Sequence, residues 1–266
     1  MNQLVELDAN GDPDFMTSLA RGLHVLRCFA NARGPVTLAE VSQQAGLSRP
    51  AVRRCLHTLV RLGYAAREGQ AYVLRPKVLA LGHAYLASTS LAERAQPILN
   101  ALCDQIGESC SLGVLEEDRV YYVARAETQR IMSMALRVGS QLPLYCTSMG
   151  RVLLAGLPEE ELDAYLDRTE LVASTPRTVT DRTELRRLIT KAREEGFAVV
   201  DQELEIGLRS IAVPLRSGGR TRAAINVGVQ PARVSMAVLR SRVLPALKKA
   251  VQELGSVAPP ETLHAR

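Results

Sequence analysis

TLAEVSQQAGLSRPAVRRCLHTLVRLGY, residues 37–64, is the stretch that decides the fold of the N-terminal part of this 266-residue chain. It opens with a capping box, in which the Thr37 hydroxyl accepts the backbone N–H of Glu40 while the glutamate reaches back. Gly46 can take the left-handed conformation that ends a short helix, and one residue separates it from Ser48, a good N-cap for the next helix. Two helices joined by so tight a turn predict a helix-turn-helix.

The second helix, which we expect to run to about Leu62, has one apolar side and one basic side. A basic side on an isolated helix is usually a solvated surface, but an arginine can also bond guanine bidentately in the major groove of DNA. The candidates for base or phosphate contact are Arg49, Arg53 and Arg54. The remaining candidates on this helix are Ser48, His57 and Thr58. Of these, His57 and Thr58 are expected to contact phosphates.

A hairpin follows this helix in the sequence. Residues 64–67 and 71–74 are strand-like runs on either side of Glu68-Gly69-Gln70, which can form the turn. A hairpin in this place predicts the wing of a winged helix-turn-helix. Tyr72 on the hairpin and Thr37 at the start of the first helix complete the predicted DNA-contacting residues.

The positive charge of the chain is concentrated in the same region. Residues 17–77 contain ten Lys and Arg against two acidic residues, a net charge of +8, whereas residues 1–16 carry −4 and the rest carries +1. A basic excess confined to one small segment is typical of a module that contacts a polyanion. Double-stranded DNA is therefore the predicted partner of this module.

The remainder of the chain predicts a second domain. Residues 78–91 read as an apolar helix that joins the two domains and packs against its copy in a dimer; packing within one chain is the alternative. Beyond it, helical and strand-like runs alternate, which predicts an α+β domain with a sheet covered by helices. The expected parts are a tail (1–16), a DNA-binding domain (17–77), a linker helix (78–91), a second domain (92–256) and a tail (257–266).

Several elements of the second domain have recognisable boundaries. We expect a strand at 131–138, a helix at 147–157, and a second capping box at 181–184 that opens a helix closed by Gly196. A long final helix is expected at about 234–254.

The second domain has the composition of a binding domain rather than of a catalyst. The four histidines are His24, His57, His83 and His264, so no Ser-His or Cys-His pair and no His-based metal site can form between residues 92 and 254. No P-loop or dinucleotide fingerprint occurs, and no cofactor is predicted. An enzyme fused to a DNA-binding module is the alternative.

The five cysteines are scattered without C-x-x-C pairs, which predicts reduced thiols, with a redox switch at Cys110 and Cys146 as an alternative. No run approaches the roughly 18 apolar residues of a membrane span, and the N-terminus does not resemble a signal peptide. We therefore expect a cytoplasmic protein with no membrane partner.

Two short motifs could hold a ligand. Residues 146–151, CTSMGR, are small and polar residues that open a helix, whose free N–H groups attract anions. Residues 207–210, GLRS, form a polar turn that enters an apolar strand. Ordinary helix or turn capping remains the alternative for each.

The chain resembles the IclR family of bacterial transcriptional regulators over residues 14–254. The resemblance is carried by SLARGLHVLRCF (18–29), by the opening segment 37–64, by LPLYCTSMGRVLLA (142–155), GFAVVDQELEIGLRSIAVPL (196–215) and AAINVGVQPARVS (223–235). The last three are similar to the branch that governs catabolism of protocatechuate, 4-hydroxybenzoate and β-ketoadipate.

This resemblance implies a winged helix-turn-helix, a linker helix and a GAF-like effector-binding domain, assembled as a homodimer or dimer of dimers. Members repress or activate transcription, so RNA polymerase is a further expected partner. The implied effector is a small organic acid, either an aromatic acid or a β-ketoadipate pathway intermediate, with another carboxylic acid as the alternative. The implied pocket residues are Ile131, Ser148, Met149, Asp201, Leu208, Ser210, Asn226 and Gly228.

Overall fold

The computed structural model describes residues 12–30, 32, 34–88, 90–128 and 136–257. The chain forms two compact units that divide between Tyr85 and Leu86.

The first unit is a winged helix-turn-helix, as the sequence predicts. Its elements in chain order are α1 (Thr17–Arg27), β1 (Val36–Thr37), α2 (Leu38–Ala45), α3 (Arg49–Arg61), β2 (Ala65–Glu68) and β3 (Ala71–Leu74). The three strands form an antiparallel sheet in the order β1-β3-β2, so the wing hairpin has a third strand that the sequence pattern did not reveal. The buried apolar core beneath the helices consists of Val25, Phe29, Val36, Val41, Val52 and Leu56.

Local sequence signals fix the turn between α2 and α3. The capping box at the start of α2 is complete: the Thr37 Oγ1 accepts the Glu40 backbone N–H at 3.3 Å, and Glu40 accepts the Thr37 N–H at 2.7 Å. Gly46 ends α2 with a φ of 63°, the left-handed conformation that glycine adopts without strain. The predicted two-helix motif is thereby confirmed.

A short 3-10 turn at Pro76–Val78 leads into α4 (Leu79–Ser88). Two of its apolar side chains are open to solvent, with Leu79 74% exposed and Leu81 51% exposed. Neighbouring exposed leucines on one helix are typical of a surface that another protein covers.

The second unit is built on a six-stranded antiparallel sheet with the strand order β6-β5-β4-β9-β8-β7. The strands are β4 (Cys110–Glu116), β5 (Arg119–Ala126), β6 (Gln141–Pro143), β7 (Ala198–Asp201), β8 (Arg209–Ser217) and β9 (Arg220–Val229). The helices are α5 (Ser90–Ile106), α6 (Ser148–Ala155), α7 (Glu159–Arg168), α8 (Arg182–Glu195), α9 (Met236–Val238) and α10 (Leu244–Val257).

The sheet separates two apolar cores. On one face α5 and α10 pack around Leu99, Leu112 and Leu247, which are all buried. On the other face α6 and α8 pack around Met149 and Ile189. The predicted α+β architecture, with a sheet between helical layers, is confirmed.

Three local predictions need correction. Residues 136–138 lie in a loop and turn rather than in the expected strand, whose first five residues, 131–135, lie outside the described part of the chain. The final helix is interrupted by a π-helical turn at Leu239–Val243. The second capping box is half formed: Asp181 caps Glu184 at 2.7 Å, but the Glu184 carboxylate pairs with Arg187 instead of reaching back.

Candidate functional site

The basic side of α3 is a free, solvent-facing surface. Arg49, Arg53, Arg54 and His57 are exposed, whereas Val52 and Leu56 on the opposite side are fully buried. None of these four basic residues forms an ion pair with any acid that the structure describes. Because no carboxylate in the described part of the chain neutralises them, their charge is available to phosphates or to base edges.

Of the other predicted DNA-contacting residues, Thr37 and Thr58 have partners of their own and Tyr72 lies partly covered, whereas Ser48 is exposed. Ser48 occupies the N-cap of α3 without capping it through its side chain, so its hydroxyl remains free. The hydroxyl of Thr37 belongs to the capping box, and that of Thr58 donates to the Arg54 carbonyl at 3.0 Å. Tyr72 lies half-buried on β3 and packs against the core. The free groups are therefore concentrated on α3.

A second candidate site is a cavity of the second unit between α6, the sheet and the loop after β7. It encloses about 510 Å³, including the part open to solvent. The cavity volume proper is about 30 Å³, so the walls lie close together. Its lining is Ser109, Tyr122, Arg125, Leu136, Leu142, Cys146, Thr147, Ser148, Met149, Val200, Leu204, Leu208, Ser210, Asn226 and Gly228.

Six of the eight residues implied by the family resemblance meet in this cavity: Ser148, Met149, Leu208, Ser210, Asn226 and Gly228. Asp201 is not among the lining residues. Its carboxylate accepts two hydrogen bonds from Arg209 at 2.9 and 3.1 Å, and these bonds lower the pKa of Asp201. Its neighbour Val200 faces the cavity instead, because successive side chains of a strand point to opposite faces. Ile131 lies outside the described residues.

The cavity contains two buried polar atoms that have no hydrogen-bond partner among the described residues, Ser148 Oγ and Asn226 Oδ1. Ser148 is 1% exposed and Asn226 is 9% exposed. Leaving a polar atom buried and unpaired costs about 1–3 kcal/mol, so such atoms are rare unless they await a ligand or water. Two of them in one cavity indicate that it takes up a polar partner, either a ligand or water.

The start of α6 brings Ser148 into the cavity. Thr147 caps the helix by accepting the Gly150 N–H at 3.2 Å, and its own hydroxyl donates to the Pro143 carbonyl at 2.7 Å. A side chain at Gly150 would overlap the backbone of Leu144, so only glycine lets the helix approach so closely. The free N–H groups of the first turn give this end of the helix a positive character.

A buried ion pair joins α6 to the loop that covers the cavity. Arg151 donates to Glu203 at 2.6 Å and to the Tyr145 carbonyl at 3.0 Å. The same Glu203 oxygen accepts the Val179 N–H at 3.1 Å, and Leu204, the next residue, lines the cavity. The pair therefore fixes the loop over the start of α6.

Sequence reasoning missed several lining residues, of which Arg125 carries the most chemistry. Its side chain is 9% exposed, and it is the one charged residue in the otherwise apolar run VYYVARA, residues 120–126. A lone cation in a strand of this kind was the available signal. Ser109 and Tyr122 had no comparable signal.

The cysteines do not support the redox alternative. Cys110 belongs to one core and Cys146 to the other, so the sheet lies between them. Burial raises the pKa of each thiol to about 12, which keeps both protonated and poorly nucleophilic at neutral pH.

The described residues show neither a metal site nor a membrane span. They contain no cluster of three or more His, Cys, Asp or Glu side chains that could hold a metal ion. They also contain no helix with the length and hydropathy needed to cross a membrane.

A winged helix-turn-helix with a free basic helix, followed by a domain with a buried polar cavity, defines a DNA-binding regulator with a small-molecule site. The chain belongs to the IclR family of bacterial transcriptional regulators. The model of the IclR helix-turn-helix domain matches residues 18–69, and that of the bacterial transcriptional regulator IclR C-terminal domain matches residues 83–256.

Two curated relatives cover almost the whole chain. The Pca regulon regulatory protein of Pseudomonas putida is 50% identical over 246 residues, which are 92% of this chain and 84% of the relative. The p-hydroxybenzoate hydroxylase transcriptional activator of Acinetobacter baylyi is 35% identical over 247 residues, which are 91% of this chain and 91% of the relative.

Two solved structures have the same fold. A transcriptional regulator from Rhodococcus sp. RHA1 is 45% identical with a TM-score of 0.80, and the match covers 91% of this chain and 98% of that one. An IclR homologue from Microbacterium hydrocarbonoxydans, crystallised with 4-hydroxybenzoate, is 26% identical with a TM-score of 0.77, over 90% of this chain and 98% of that one.

Proposed function

We propose that this protein is a transcriptional regulator that binds operator DNA through α3 and responds to a small aromatic acid bound in the cavity beside α6. The observation that carries the proposal is the pair of unpartnered buried atoms, Ser148 Oγ and Asn226 Oδ1, which face one cavity. The names of the relatives support the chemical class, since one regulates p-hydroxybenzoate hydroxylase and another was crystallised with 4-hydroxybenzoate. The cavity binds its ligand without turnover in this proposal, because no histidine that could act as a base lies between residues 92 and 254.

Ligand binding is tested by titrating the full chain with 4-hydroxybenzoate in a calorimeter. We expect Ser148→Ala to weaken binding about 10-fold or more, since it removes a hydroxyl that would otherwise pair with a charged or polar ligand group. Ser217→Ala, at the far end of β8 from the cavity-lining Ser210, is the matched control and leaves the affinity unchanged. Wild-type protein that binds no hydroxybenzoate or benzoate would contradict the proposed ligand class.

DNA binding is tested on the region upstream of the protein's own gene. We expect Arg53→Ala to weaken binding by about 1–3 kcal/mol selectively on the operator if Arg53 contacts a base, or uniformly on all DNA if it contacts phosphate. Arg187→Ala, an exposed arginine of α8, is the control. The assignment of α3 fails if Arg53→Ala binds every DNA as tightly as the wild type across salt concentrations.

We further propose that two copies associate through α4. Its exposed Leu79 and Leu81 would be covered in a homodimer, which also places two wings on a two-fold operator. Leu79→Glu with Leu81→Glu should lower the mass measured by light scattering to that of the monomer. If the double variant keeps the wild-type mass, α4 is not the interface.

Two finer proposals follow from DNA binding. A regulator of chromosomal genes works in the bacterial cytoplasm, where we place this protein.

Contact with RNA polymerase would make it an activator. Transcription in vitro from its own promoter, with and without 4-hydroxybenzoate, distinguishes activation from repression.

A further inference from the structure

Arg125 lies in a row of polar side chains that crosses the middle of the sheet. On β4, Ser111 is the cross-strand neighbour of Arg125 on β5 and of Asn226 on β9. Directly opposed residues of neighbouring strands share a face of the sheet, and strands lie roughly 5 Å apart. Arg125 and Asn226 both line the cavity, so one small molecule can reach both.

Existing hydrogen bonds orient the Arg125 guanidinium but leave part of it unused. Its Nη1 donates to Ser111 Oγ at 2.7 Å, and its Nε donates to the Glu127 carboxylate at 2.6 Å. Within the described part of the chain, Nη2 makes no hydrogen bond, so its two N–H donors remain. Glu127 is 56% exposed, and solvent therefore screens much of its charge from Arg125.

The two ends of the row have opposite hydrogen-bonding character. Arg125 can only donate, whereas Asn226 adds an unpaired acceptor, Oδ1, beside its own amide donor. A carboxylate is satisfied by donors and is repelled by an acceptor, whereas a hydroxyl can donate to Oδ1. Charge-assisted bonds between guanidinium and carboxylate are also about twice as strong as neutral ones.

We propose that Arg125 is the specificity-determining residue that recognises the effector's carboxylate, with the effector's hydroxyl directed to Asn226. This inference rests on the proposed aromatic-acid function and adds to it the orientation of the ligand. In this orientation the positive start of α6, at Ser148, contributes to binding but does not hold the carboxylate.

The test compares 4-hydroxybenzoate with its uncharged analogue 4-hydroxybenzamide, by calorimetric titration of the full chain. We expect the wild type to prefer the acid by about 10- to 100-fold, the range that corresponds to loss of one hydrogen bond to a charged group. Arg125→Gln should reduce that preference to a few-fold. Arg119→Gln, an exposed arginine on the same strand, should keep the full preference.

Each other result has a defined meaning. An Arg125→Gln variant that keeps the wild-type preference overturns the proposal, and so does a Ser148→Ala variant that loses the preference instead, since the carboxylate would then lie at α6. Wild-type protein that binds neither compound refutes the proposed function itself. If Arg125→Gln does not fold, Arg125→Lys keeps the charge but loses the planar fork, and a reduced acid preference in that variant supports the proposal. An undiminished preference in Arg125→Lys overturns it.

Discussion

Replacing Arg151 with methionine should destabilise the second unit more than any surface substitution. The arginine side chain is 3% exposed and its partner Glu203 is 9% exposed, so the substitution leaves a carboxylate buried without its cation. Breaking a buried pair in this way costs about 3–5 kcal/mol. The Tyr145 carbonyl loses a donor at the same time.

A second substitution separates the cost of an unpaired charge from the value of the pair. In Arg151→Met with Glu203→Leu the buried charge is removed, but the Val179 N–H loses its acceptor, at a cost of about 1–3 kcal/mol. We therefore expect the double variant to be less stable than the wild type but more stable than Arg151→Met alone.

Differential scanning calorimetry of the full chain is the assay, because the two units should give separate transitions. For a unit of this size 1 kcal/mol corresponds to roughly 2–4 °C, so Arg151→Met should lower the second unit's midpoint by about 6–20 °C. Arg187→Met, which breaks an exposed pair with Glu184, is the control and should cost about 0.5 kcal/mol or less. The reasoning is refuted if Arg151→Met shifts the midpoint no more than Arg187→Met does, or if the double variant is no more stable than the single one.

Three further predictions concern single features. Thr37→Ala removes the capping box and should lower the free energy of unfolding of the first unit by about 1 kcal/mol, seen as a lower midpoint of its calorimetric transition with the other transition unchanged. Gly150→Ala should destabilise the second unit by about 1–3 kcal/mol and abolish ligand binding, since the new methyl group overlaps the Leu144 backbone; titration with 4-hydroxybenzoate at unchanged affinity would contradict this. Cys110 and Cys146 should resist iodoacetamide at pH 8.5 in the native protein and react once urea unfolds it. Burial raises the pKa of each thiol from 9.0 to about 12. The stability that the protonated thiols contribute is therefore present below pH 9 and is lost as the pH rises towards 12.

The first unit could be predicted closely because its signals are local. The capping residues of α2, the left-handed Gly46 and the basic side of α3 all act within a few residues along the chain. The two-residue strand β1 escaped prediction because it forms only by pairing with β3, some 35 residues later. A strand of two residues has no periodicity of its own.

The cavity could be predicted only through the resemblance, because contacts across strands leave no mark in local spacing. Arg125 and Asn226 are brought together by Ser111, which is far from Asn226 in the sequence. Asp201 shows the limit of assigning pocket residues from a family resemblance. Asp201 lies on β7, next to a residue that lines the cavity, but its carboxylate is bound by Arg209. Val200 faces the cavity in its place.

The sheet that divides the two cores has a consequence for how this protein can diversify. Residues that line the cavity belong to the face covered by α6 and α8, whereas the core under α5 and α10 takes no part in the lining. Substitutions that are more than about 10 Å apart and share no partners usually add independently. Selection for a new ligand could therefore alter Arg125, Ser210 or Asn226 while the opposite core keeps the domain folded, so that one scaffold serves many chemical signals.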